Sequence, residues 1–145
     1  MKGKILAVAV LVMLGAAVLL NGRQAQASNH AISAVDNVFA SLNAGEVDKA
    51  VVSFAEDAIA ENRVRAEVYR GVREIRQMLQ GMQREGRRFD IVGVQAEGDT
   101  ITARVEVSDG GFVWGTQTIV AVVRGDKLQS LTVTAFRLEL WRIGR

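Results

Sequence analysis

Few side chains in this chain can do chemistry, and their types are restrictive. Among 145 residues there is no cysteine and one histidine, His30, in a polar stretch near the N-terminus. Thiolate metal sites, iron–sulfur clusters and cysteine nucleophiles are therefore excluded, and one chain cannot assemble a histidine-centred triad or a multi-histidine metal site. What remains is carboxylates, arginines, amides and rings. Arg104 and Glu106 lie two apart in an alternating segment, so they share one side of a strand. They are either a charged pair at the floor of a pocket or an exposed pair worth little. Asn62 stands alone in the series Ala58, Ala60, Asn62, Val64, Ala66, Val68. An unpaired buried amide costs on the order of 1–3 kcal/mol, so Asn62 must bond within the fold, or to water or a ligand in a cavity. Tyr69, Phe112 and Trp114 are rings that either line such a cavity or fill the core.

The elements that position these residues are legible from their periods. Ile32, Val35, Val38, Phe39 and Leu42 recur at three- and four-residue intervals, which predicts a helix over Ala31 to Asn43, closed by Asn43 and Gly45. Val47, Val51 and Phe54 predict a shorter helix over Glu46 to Phe54. From Ala58 to Tyr69 the period is two, and the run reads as one strand. Gly71 to Arg84 returns to helical spacing through Val72, Ile75, Leu79 and Met82. Four alternating segments follow: Phe89 to Ala96, Thr100 to Ser108, Phe112 to Val123 and Leu128 to Trp141. The short Gly/Asp-containing breaks between them signal hairpins. Helices first and strands afterwards give an α+β fold, with helices on one face of a largely antiparallel sheet. If Ile101, Ala103, Val105 and Val107 meet the helices, Arg104 and Glu106 face outward; if not, the charged pair faces the pocket.

The N-terminus has the form of a secretory signal over residues 1–27. Lys2 and Lys4 precede the charge-free run Ile5 to Leu20, and Ala25-Gln26-Ala27 offers small residues at a cleavage site. The apolar run is shorter than the roughly 20 residues that span a bilayer. The chain is expected to be exported to periplasm, cell surface or medium as a single domain, 28–145; retention on a membrane through residues 5–20 is the alternative. Lys2, Lys4 and Arg23 account for three of the 18 basic residues, leaving 15 against 16 acidic ones. These remaining charges are interleaved, so the electrostatic footprint of a nucleic-acid binder is missing.

The element order, together with NAGEVDKAVVSFAEDA, the step Tyr69-Arg70-Gly71 and the helix after it, resembles the nuclear transport factor 2-like superfamily, in particular its SnoaL-like branch. The likeness covers nearly all of 28–145. It implies a strongly curved, mainly antiparallel sheet wrapped around N-terminal helices, a cystatin-like cone with a pocket at its open end, and pairing as a homodimer. It implies little about reaction, since members include isomerases, hydrolases, dehydratases and adaptors.

Residue by residue, the family's chemistries map poorly. The carboxylate base of ketosteroid isomerases falls at Asn62, and an amide cannot abstract a proton. Their oxyanion-stabilising tyrosine falls at Val38. In the pattern of limonene epoxide hydrolases, Asn62, Arg104 and Glu106 match, but the tyrosine becomes Ala60 and the second acid Val133. SnoaL-type cyclases and scytalone dehydratases need pocket histidines. The resemblance therefore implies a non-catalytic small-molecule-binding or accessory module, with a small apolar ligand near Asn62, Tyr69, Phe112 and Trp114, and with no cofactor, metal or nucleic acid. The alternative is a degenerate isomerase or epoxide-hydrolase-like enzyme with Glu106 as base, assisted by Arg104 and Asn62.

Overall fold

The computed structural model describes residue 26 and residues 28–139. The apolar run and cleavage site read within 1–27, and Trp141, lie outside the described residues. Helix α1 runs over 28–43, followed by α2 (Val47–Val52), β1 (Phe54–Asn62), β2 (Glu67–Arg70), α3 (Gly71–Arg84), β3 (Arg88–Glu97), β4 (Thr100–Asp109), β5 (Phe112–Arg124) and β6 (Lys127–Leu138). The strands form one unclosed, curved sheet in the order β2-β1-β6-β5-β4-β3. β1 and β6 are parallel, and every other neighbouring pair is antiparallel.

The helical periods do what their spacing implies. Val35, Val38, Phe39 and Leu42 of α1 are buried, as are Val47, Ala50 and Val51 of α2 and Ile75 and Leu79 of α3. They pack on the sheet face that carries Ile101, Ala103, Val105 and Val107 of β4, all buried. β2 passes directly into α3 because Gly71 takes φ +78, a left-handed conformation costly for any residue with a Cβ. The Glu74 carboxylate accepts the freed Arg70 N–H at the head of α3.

Two expectations are corrected. The alternating run from Ala58 to Tyr69 is not one strand but the hairpin β1–β2, joined by a turn over 63–66 in which Ala66 has φ +56. Asn62 pairs with Glu67 and Ala60 with Tyr69, so Tyr69 faces the same side as Asn62, not the opposite one. Alternation carried on through the turn and concealed the reversal. Phe54 opens β1 and does not close α2, although its ring is buried as a helical reading would have it. The parallel β1–β6 contact had no local signal, because it arises when the β3–β6 meander brings its last strand back to the first.

One side chain ties the helical layer to the far edge of the sheet. Asn43, at the end of α1, donates from Nδ2 to the Phe89 carbonyl at 2.7 Å and accepts the Phe89 N–H on Oδ1 at 2.8 Å. The amide thus stands in for a strand neighbour, satisfying both backbone groups of a residue on edge strand β3. Above it the Phe39 and Phe89 rings sit 6.1 Å apart, centroid to centroid. Asn43→Ala should lower unfolding free energy by about 1–3 kcal/mol, because two backbone groups lose their partner. Denaturant unfolding checks this: the midpoint should fall with the m-value unchanged.

Candidate functional site

Strand pairing aligns side chains in rows across the concave face. One row is Glu67, Asn62, Val133, Ile119 and Ala103; the next is Tyr69, Ala60, Leu131, Ala121 and Ile101. A third sets Phe136, Gln117 and Val105 side by side, and a fourth Leu138, Gly115, Val107 and Phe89. Against one end of these rows the helices withdraw, leaving a cavity of about 460 Å³ roofed by Met78, Leu79 and Met82 of α3 and by Val38, Phe39 and Leu42 of α1. That is the size of a small-molecule site, and its walls are mainly apolar, as such sites are. The two methionines give the roof a soft, adaptable surface.

Bulges shape this wall. Opposite the step from Val107 to Ser108, β5 carries one extra residue, Trp114, so strict alternation breaks there. Trp114 lines the cavity, whereas Thr116 points away and donates its hydroxyl to Glu139 Oε1 at 2.9 Å. Phe112 is not among the lining residues; it packs edge-on against Trp114 with centroids 5.7 Å apart. Next to Trp114, a Cβ on Gly115 would come within 2.3 Å of the Arg137 carbonyl and 2.9 Å of the Phe136 ring. Glycine is required at that position for β6 to lie close and fold its ring over the wall.

Polar groups of the wall gather on the β1–β2 hairpin. Asn62 Oδ1 accepts the Arg65 N–H at 3.2 Å and so closes the turn, which leaves its Nδ2 as a donor on the cavity side. Tyr69 donates its hydroxyl to Glu67 Oε2 at 2.5 Å. This hydrogen bond, then burial and the negative charge of Glu67, push the phenol above its ordinary value, with Arg65 pulling the other way. At the rim the Arg87 guanidinium stands 5.8 Å from the Trp114 ring centroid and 3.5 Å from Glu85, joining the exit of α3 to β5.

Each residue singled out from the sequence now has a place. Asn62, Tyr69 and Trp114 line the cavity. Arg104 and Glu106 do not, because Ala103, Val105 and Val107 take the helix-facing side of β4 and alternation sends the charged pair to the other face. The Arg104 guanidinium lies across Gly93 of β3, where a Cβ would stand 2.9 Å from it. Glu106 therefore lies on the opposite side of β4 from this cavity. Val38, Ala60, Asn62 and Val133, the four positions set against the family's chemistries in the sequence, all line this one cavity. Sequence reasoning missed Gln117, a buried amide on the same wall. Its signal was present: it breaks the apolar series Ile119, Ala121, Val123 on the inward side of β5.

Two measurements test this geometry. The chain has a single tyrosine, so an absorbance titration reads Tyr69 directly. Its midpoint should lie above about 10 and move back toward 10 in Glu67→Gln. Since the folded value is raised, the stability tied to the protonated phenol is complete below about pH 10 and is lost as pH rises through the folded value. Separately, Gly115→Ala should cost about 1–3 kcal/mol by forcing β6 off the wall, read as a lower denaturation midpoint.

The comparisons with known proteins agree with this architecture. The family model of the SnoaL-like domain matches residues 35–138. No curated protein sequence matches the chain. Among solved structures, a candidate polyketide cyclase from Sinorhizobium meliloti is similar with a TM-score of 0.63 and 19% identity, over 70% of this chain and 94% of that one. A candidate ketosteroid isomerase from Kribbella flavida gives 0.65 and 16%, over 72% and 76%. A de novo designed protein with a curved β-sheet gives 0.64 and 17%, over 77% and 86%. At these identities the likeness is one of fold, and a fold does not by itself imply an activity. By the family model and by the curved sheet it wraps around its helices, the chain belongs to the SnoaL-like domain family.

Proposed function

We propose that this SnoaL-like domain binds a small, mostly apolar molecule in its cavity and releases it chemically unchanged, acting after export under the signal read in residues 1–27. One observation carries the reading: the cavity wall has Val38, Ala60, Asn62 and Val133 at the positions where the family's known chemistries would need a tyrosine, a tyrosine, a base and an acid. Valine and alanine side chains neither donate nor accept protons, and an amide holds a ligand without abstracting one. The ligand's apolar body rests against Met78, Met82, Trp114 and Phe136. Its polar end meets the Asn62 Nδ2 donor and the Tyr69 oxygen, whose own proton is committed to Glu67.

Native mass spectrometry of the protein purified from its host tests this directly. The expected spectrum contains a complex with one small molecule per chain, released intact after prolonged incubation. Turnover of that molecule, lost in Glu67→Gln with thermal unfolding unchanged, would contradict the reading and make the Glu67–Tyr69 pair catalytic.

A further inference from the structure

Gln117 is 9% exposed and lines the cavity. Its nearest neighbours on the same face are Val105 and Phe136 across the strands, and Gly115 and Ile119 along its own. None of the four has a polar side-chain atom. Among the described residues its amide makes no side-chain hydrogen bond, and that amide opens on the cavity instead of being sealed in the packed core. A leucine or methionine of similar volume would fill the position at lower cost, because an amide surrounded by apolar groups forfeits the hydrogen bonds it had in water. Water in the cavity can bond the amide, but a molecule that displaces the water must replace the lost bond.

We infer that Gln117 is a ligand-recognising residue, and that the molecule bound in this cavity carries an uncharged oxygen function, a hydroxyl or a carbonyl, on the part of it that contacts β5. The inference rests on the cavity-binding reading above and adds the chemistry of the ligand to it. An amide offers one acceptor and two donor hydrogens, which suit either oxygen function. A neutral group suits this point because Val105, Phe136, Gly115 and Ile119, its neighbours in the sheet, supply no counter-ion, and an unpaired ion in apolar surroundings is far more costly than a neutral dipole. The oxygen is distinct from the one held at the hairpin. Asn62 lies two strands away and one inward-facing position along from Gln117, which puts their Cα atoms roughly 12 Å apart at ordinary sheet spacings. The ligand is therefore an apolar body with a polar group facing each of two walls.

The test compares pyrene with 1-hydroxypyrene, a matched pair differing by one hydroxyl, bound to the full chain and followed by probe fluorescence. The unsubstituted chain should prefer 1-hydroxypyrene by about tenfold. Gln117→Leu should erase that preference, bind pyrene at least as tightly as before, and melt at a temperature no lower than the parent. Gln117→Met, a second apolar replacement of similar size, should behave in the same way. An unchanged preference in both variants, or a fall of several degrees in melting temperature in both, would overturn the inference: the first would credit the hydroxyl to another residue, the second would make Gln117 a structural support. In either case pyrene binding itself leaves the cavity reading standing. If neither probe binds the parent chain, the cavity reading fails and the inference falls with it.

Discussion

β5, at thirteen residues, spans roughly 43 Å, and the fourteen-residue α3 spans about 21 Å. The described part of α1, sixteen residues, reaches only a few ångströms further. Helices of this length cannot cover the inner face of strands of that length. Where β5 and β6 run past α3, the inner face ends in Trp114, Phe136 and Leu138, which stay 44%, 40% and 56% exposed. Bending the sheet toward the helices turns this uncovered end into a cavity instead of a flat apolar patch. The bend is built from register shifts in β1/β6, β3/β4, β4/β5 and β5/β6, each adding local twist. Gly115 lets β6 follow the bend closely. The Asn43 amide holds β3, at the sheet's far edge, against the end of α1.

Charge is partitioned by the same geometry. The helix-facing side of β4 is Ile101, Ala103, Val105 and Val107, and its charges lie on the other side. Within the cavity wall the buried polar contribution is an amide, and the ionisable groups, Glu61, Arg65, Glu67, Tyr69, Glu85 and Arg87, sit in the hairpin and at the exit of α3. A neutral amide can be held in apolar surroundings at modest cost, whereas a carboxylate would need a compensating cation.

Much of the fold was legible because its signals are local. The spacing of Val72, Ile75, Leu79 and Met82 predicts α3 to its observed bounds, and the Gly98, Gly110 and Gly125 turns mark the meander. Element order and the NAGEVDKAVVSFAEDA segment then point to the family. What stayed hidden is long-range or register-dependent. The β1–β2 turn was masked because alternation continues through it, which put Tyr69 on the wrong side of Asn62. The bulge at Trp114 separates it from Thr116, and no sequence pattern announces a single inserted residue. Asn43 reads as a helix terminator, and its bond to Phe89 spans 46 residues. Gln117 was visible as one amide in an apolar series, but its weight emerges only when its four neighbours are known to be apolar.

The central claim is that a molecule enters the concave side, against amides, and not the outer face, against the charged pair. Side-chain amide and guanidinium resonances in a 15N correlation spectrum of the full chain, recorded with and without 1-hydroxypyrene, test it in one measurement. The account predicts that the Gln117 and Asn62 side-chain amides shift while the Arg104 guanidinium does not. Shifts confined to Arg104 and the backbone of Gly93, with both amides unmoved, would contradict it.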